Sequence, residues 1–110
     1  METSILTSIK KLLGVAEDYS GFDEDIMTHI NSVFLNLTQL GVGPEEGFMI
    51  KDGTAEWEDF INDSTQLQAV KTYVYLKVKL LFDPPLSSSV TESINRMIAE
   101  LEWRLNAAVD

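Results

Sequence analysis

The stretch Ser64-Thr65-Gln66-Leu67-Gln68-Ala69-Val70-Lys71-Thr72-Tyr73-Val74-Tyr75-Leu76-Lys77-Val78-Lys79-Leu80-Leu81-Phe82, followed at once by Asp83-Pro84-Pro85, decides the fold class. Leu67, Val70, Val74, Val78 and Leu81 recur at the spacing of one helical face, and Ala69, Tyr73, Leu76 and Leu80 form a second apolar side. Asp63-Ser64-Thr65-Gln66 has the capping-box form that opens a helix. The two prolines close it, because proline lacks the amide donor and pushes the residue before it out of helical geometry. The spacing therefore predicts a helix over 64–82, with Gln68, Thr72 and Lys79 as a narrow polar strip. A helix apolar nearly all round is buried nearly all round. Two readings follow: this is the central core helix, or its second side, through Tyr73, Leu76 and Leu80, packs on a neighbouring subunit.

Upstream, Ile5, Ile9, Leu12 and Leu13 share a face and predict a helix over 4–13, with Thr3 as N-cap and Gly14 as stop. Asp23 is placed to cap a longer helix over 23–41, whose stripe is Ile26, Ile30, Val33, Leu37 and Leu40, with Gly41 and Pro44 ending it. Between Gly43 and Ile61 the helical period is lost. Phe48-Met49-Ile50, Lys51-Asp52-Gly53 and Thr54-Ala55-Glu56-Trp57 predict a short hairpin or an ordered loop about the Asp-Gly pair, then a helical turn through Trp57, Phe60 and Ile61. Downstream, Ser89-Val90-Thr91-Glu92 has the capping-box form, and Ile94, Met97, Ile98, Leu101 and Leu105 predict a helix over 88–107. The expected fold is all-α: a bundle of four principal helices with a central loop or short hairpin, one domain over 1–110.

With 110 residues, 45% of them hydrophobic, the chain can bury one core. The N-terminus lacks the apolar run of a secretory signal, and no run reaches the roughly 18 apolar residues of a membrane span, so a soluble, intracellular protein with no membrane partner is expected. Cysteine is absent, which removes disulfides, thiolate nucleophiles and sulfur-ligated zinc. A formal charge of -10 opposes tight binding to nucleic acid phosphates.

Catalytic constellations are missing. Gly41-Val42-Gly43-Pro44 has no phosphate-loop lysine, and its proline removes a donor such a loop needs. His29 is the only histidine and has no metal-ligand or triad partner, so it reads as a partly buried structural residue. The carboxylates Asp23-Glu24-Asp25 sit where a helix N-terminus favours negative charge, and Glu45, Glu46, Glu56, Glu58 and Asp59 fall in loops. Asp23-x-Asp25 does not continue into a calcium loop, since Met27 stands where an oxygen ligand is wanted. Neither an enzymatic activity nor a cofactor or metal is expected.

Surplus apolar surface points instead to association. On the 88–107 helix Trp103 projects roughly opposite the apolar stripe, beside Glu92, Arg96 and Ala99; it either covers an arginine stem or anchors an interface, where tryptophan is enriched. Glu92, Arg96, Glu100 and Arg104 can pair as surface ions at i+4 spacing. Leu35 lies on the polar side of its helix. Phe48 and Trp57, in the central loop, either reach a partner or pack with Phe60 on their own subunit. The candidate interface residues are Leu35, Phe48, Trp57, Tyr73, Leu76, Leu80 and Trp103.

A short N-terminal helix followed by Gly21-Phe22-Asp23-Glu24-Asp25-Ile26, the loop Leu40-Gly41-Val42-Gly43-Pro44, the run Tyr73-Val74-Tyr75-Leu76-Lys77-Val78-Lys79-Leu80-Leu81-Phe82-Asp83-Pro84-Pro85 and Glu100-Leu101-Glu102-Trp103-Arg104-Leu105 together resemble phage head-tail connector (adaptor) proteins of siphophages and prophages of Gram-positive bacteria. The resemblance covers nearly the whole chain. It implies a non-enzymatic helical subunit that forms a ring of its own copies, with a dodecamer expected, under the portal protein. Such a ring extends the DNA channel, docks a stopper or tail-completion protein, and passes DNA without specific binding. The implied location is the head-tail interface of the virion, and the host cytoplasm during assembly. Competing expectations are an acidic DNA-mimic inhibitor, a neighbouring stopper or tail-completion protein and, last, a small carboxylate hydrolase.

Overall fold

A computed structural model describes residues 3–108. The elements in chain order are α1 (Ile5–Leu13), α2 (Asp23–Gln39), the one-turn α3 (Trp57–Phe60), α4 (Ser64–Phe82) and α5 (Ser88–Ala107). Among the described residues there is no strand, and the only β-type pairing is an isolated bridge between Ser4 and Glu56. The all-α class and the four principal helices are as the sequence predicts.

α4 is the axis of the molecule: α2 and α5 pack most extensively against it, and α1 packs on both α4 and α2. Val70, Tyr73, Val74 and Val78 are fully buried, and Leu76 nearly so. Each such side chain contributes about 1.5–3 kcal/mol relative to exposure, and α4 shares the bulk of the core with α2, whose Ile26, Ile30, Val33, Phe34 and Leu37 are also fully buried. α5 takes the Tyr73 side, where the tyrosine hydroxyl donates to Glu102 Oε2 at 2.8 Å. The Val70-Val74-Val78 side is left for α1 and α2, as helical geometry requires. The second apolar side of α4 is thus covered inside the subunit at Tyr73 and Leu76 and half-covered at Leu80, while Leu81 stays exposed, and α4 is the central core helix.

The start of α4 follows its sequence signal, with Asp63 accepting from the Thr65 amide at 2.9 Å and Asp83 closing the other end. Other caps differ from the sequence reading. Ser4, not Thr3, caps α1, accepting from the Thr7 amide at 3.2 Å. Ser87, not Ser89, caps α5, because the turn after Pro84-Pro85 ends two residues earlier than the capping-box match. Asp23 does not cap α2; it stands in the first turn, with Phe22 at the cap position, and α2 stops at Gln39 rather than 41.

Asp23 is drawn away by Lys10. That lysine is 3% exposed, and its ammonium donates to the carbonyls of Glu17 (3.1 Å) and Tyr19 (2.7 Å) while Asp23 Oδ1 lies 2.8 Å away as its counter-ion. Burying Lys10 rotates α1 from its expected register: Ile5, Leu6, Ile9 and Lys10 face inward, and Leu12 is 53% exposed. A lysine is tolerated there because its charge has one anion and two carbonyls to meet.

The segment between α2 and α3 is an ordered loop, not a hairpin. Its two arms pair elsewhere. Ala55 O accepts from the Ile5 amide (3.0 Å), Gly53 O from Ser4 Oγ (2.8 Å), and the Trp57 amide donates to Thr3 O (3.1 Å), so one arm is bound to the N-terminal segment. The other is bound to α2, where the Asn31 side-chain amide gives Nδ2 to Ile50 O (3.0 Å) and accepts the Ile50 amide at Oδ1 (2.7 Å).

Candidate functional site

Of the seven residues singled out in the sequence, three lie in the subunit core. Trp57, Tyr73 and Leu76 are buried, so they present no surface to another chain. Trp57 stacks edge-on with Phe34, donates from Nε1 to Ser8 Oγ (3.1 Å) and lies under the Lys71 ammonium. Burial, then the hydrogen bond to Glu102 and the charge of that carboxylate, push the Tyr73 hydroxyl well above the usual phenol range. It therefore stays protonated and acts as a fastener between α4 and α5. Leu80 is half-buried against the core.

Phe48 is half-buried and meets Phe34 and Phe60 edge-on, with ring centroids 5.2 and 5.4 Å apart. The central loop accordingly packs on its own subunit through Phe48, Trp57 and Phe60. Gly43 makes room for this cluster: its φ is +85°, and a Cβ there would collide with the Phe60 ring.

Leu35 and Trp103 remain outside the core, 59% and 72% exposed. Leu35 is not isolated. With Phe48 and Met49, itself 68% exposed, it forms the apolar floor of an open groove of about 710 Å³ between α2 and the loop, where Asn31, Thr38 and Glu46 supply polar edges. The groove owes its shape to the paired hydrogen bonds of Asn31 with Ile50. Neither Asn31 nor Met49 stands out in the sequence, since Asn31 is an ordinary polar position of its helix and Met49 lies where the helical period is lost.

Trp103 stands on the solvent face of α5, with Ala99, Arg96 and Glu92 one, two and three turns before it, all exposed. Of the possible i+4 ion pairs along this helix, Arg104 with Glu100 is formed at 2.6 Å, both side chains being well solvated, while Arg96 is turned to Ser93 Oγ at 3.3 Å. The indole is therefore a large aromatic on a charged, hydrated surface, and its burial against another chain would release far more apolar area than any neighbour on this face.

Among the described residues no group of three His, Cys, Asp or Glu side chains is placed to hold a metal ion. His29 is half-buried on α2. Asp52 and Asp63 have carboxyls held below the usual range by hydrogen bonds from Thr54 and Thr65, which is turn and cap chemistry at exposed positions. No helix among the described residues is long and apolar enough to cross a membrane.

Comparison with curated proteins and with solved structures returns no match. A protein-family model described as phage connector protein matches residues 5–110, from the first residue of α1 through the whole of α5, in agreement with the helical architecture and the resemblance carried by the 73–85 and 100–105 runs. By that match the chain belongs to the phage connector protein family, a family of structural proteins.

Proposed function

We propose that the chain is a head-tail adaptor, acting as one connector domain over 1–110, whose copies assemble as a ring under the portal of a DNA-filled capsid. The ring extends the exit channel and offers its far side to a stopper or tail-completion protein. The observation that carries this reading is the exposure of Trp103 on an otherwise solvated helix face, in a chain whose family is a connector family. A lone subunit gains nothing from an indole in water, whereas at an interface truncation of such a residue costs about 2 kcal/mol or more.

The role is mechanical and not catalytic. The charge of -10 suits a wall along which DNA must slide, since a lysine-lined wall would gain counterion-release energy at each phosphate and hold the duplex back. In the finished particle the protein sits at the head-tail interface.

The test is a pair of truncations on α5. Trp103→Ala should keep full helical content and a cooperative unfolding transition within about 0.5 kcal/mol of the parent, as for surface positions, while ring formation or portal attachment is lost or sharply weakened. Leu105→Ala, at a buried position, should cost roughly 2–5 kcal/mol of fold stability. Circular dichroism and sedimentation velocity read both. Trp103→Ala that assembles like the parent overturns the placement of the interface on this face.

A further inference from the structure

Charge is distributed very unevenly along this chain. Between residues 16 and 63, which hold α2, the central loop and α3, twelve carboxylates stand against the single lysine Lys51. Between residues 64 and 108, which hold α4 and α5, four carboxylates stand against Lys71, Lys77, Lys79, Arg96 and Arg104. Each half also exposes apolar side chains, Tyr19, Phe22, Leu35 and Met49 on the first and Leu81, Leu86, Val90, Met97 and Trp103 on the second, and one feature on each stands out by shape or size. On the acidic half it is concave, the groove floored by Leu35, Phe48 and Met49 with Glu46 at its edge. On the other half it is convex, the projecting Trp103 on α5, where Arg96 and Arg104 alternate with Glu92, Glu100 and Glu102 and Arg104 is paired with Glu100.

We infer that the contact between neighbouring copies is head-to-tail: Trp103 of one subunit enters the Leu35-Phe48-Met49 groove of the next, and Arg96, which has no carboxylate partner of its own among the ion pairs described, meets Glu46 at the groove's edge. This rests on the adaptor-ring reading and names the surfaces that would make the ring. A groove set against its own copy would bring the two carboxylate-rich 16–63 segments together, and like charges brought together at an interface oppose association. The groove therefore needs a partner face that is not acidic, and the α4–α5 half supplies one. The two patches share no residue and lie on different elements. A contact between two different patches of the same chain is heterologous, and it propagates until rotation closes it into a ring. A self-complementary contact would stop at a dimer.

The absence of native cysteine makes the contact directly testable, since an introduced thiol is unique. Ala99→Cys, one turn before Trp103, and Met49→Cys, on the groove floor, are prepared as separate full-length chains, mixed, allowed to assemble and treated with a short bis-maleimide. Covalent dimers are expected from the mixture and not from either variant alone. Adding Trp103→Ala to the Ala99→Cys chain should lower the cross-linked yield by roughly tenfold or more at sub-saturating concentration. Adding it to the Met49→Cys chain should leave that junction unchanged, because the indole at that junction belongs to the other copy. Cross-linking of Ala99→Cys to itself would overturn the inference in favour of a symmetric contact. Assembly of the unlabelled chain by sedimentation, without cross-linking in the mixture, would overturn the inference and leave the ring reading standing. Absence of assembly, with and without portal, would overturn both.

Discussion

Lys10 shows how a single residue redirects a local reading. By sequence α1 buries Ile5, Ile9, Leu12 and Leu13; in the structure Leu12 is out and Lys10 is in, held by Asp23 and by the Glu17 and Tyr19 carbonyls. Periodicity cannot reveal this, because the partners of Lys10 come from a connection and from the next helix, and hydropathy scores a lysine as outside whatever it meets. Removing the carboxylate should hurt more than removing the pair. Asp23→Asn leaves a buried ammonium without its anion and should cost about 1–3 kcal/mol, less than a fully buried pair would because Asp23 is partly solvated. In the Lys10→Met background the same change should cost only a few tenths. A double-mutant cycle by urea denaturation at constant pH measures the difference, and equal costs in both backgrounds would show that the ion pair contributes nothing.

At the scale of elements, the helices were legible because their signals are local. The 64–82 helix was bounded correctly by Asp63 and Pro84-Pro85, and the 88–107 span was right even though its cap is Ser87 and not Ser89. The buried fate of Tyr73 and Leu76 was not legible. Sequence shows that α4 has two apolar sides but cannot say whether the second cover comes from α5 or from another chain. The loop was half legible: Phe48, Trp57 and Phe60 were seen as a possible internal cluster, whereas the pairing of its arms with α2 and the N-terminal segment depends on contacts far apart in sequence.

Two predictions belong to these elements. The Asp63 carboxyl is held below the ordinary range by the cap hydrogen bonds, so its stabilisation is complete above the unfolded value of about 3.9 and is lost as pH falls through the lower folded value. Asp63→Asn keeps an acceptor but does not titrate. Below pH 4 the parent should therefore lose more thermal stability than the variant, and parallel melting curves across that range would contradict the assignment. Gly43→Ala should destabilise by more than about 1 kcal/mol, since it combines a positive φ with a clash against Phe60 and so disturbs the ring cluster under the groove. Near-ultraviolet circular dichroism of the aromatic cluster and a denaturant midpoint check it, and an unchanged midpoint would mean that Phe60 can move aside at no cost.

In the whole molecule α4 stands at the centre, the groove lies on α2 and the loop, and the exposed indole lies on α5, while carboxylates are concentrated in residues 16–63 of the sequence and bases in 64–108. The candidate interface residues divide along this architecture: Trp57, Tyr73 and Leu76 lie in the core, Phe48 and Leu80 are half-buried against it, and Leu35 and Trp103 are exposed, because sequence registers surplus apolar surface without showing which part the subunit itself consumes. The central claim is that copies of this chain form a ring on the portal. Electron microscopy of the purified chain mixed with its cognate portal tests it most directly. A closed ring of added density coaxial with the portal channel is expected, weakened or absent with Trp103→Ala. A chain that leaves the portal bare under these conditions, and instead binds a basic nucleic-acid enzyme in a strongly salt-dependent way, would contradict it.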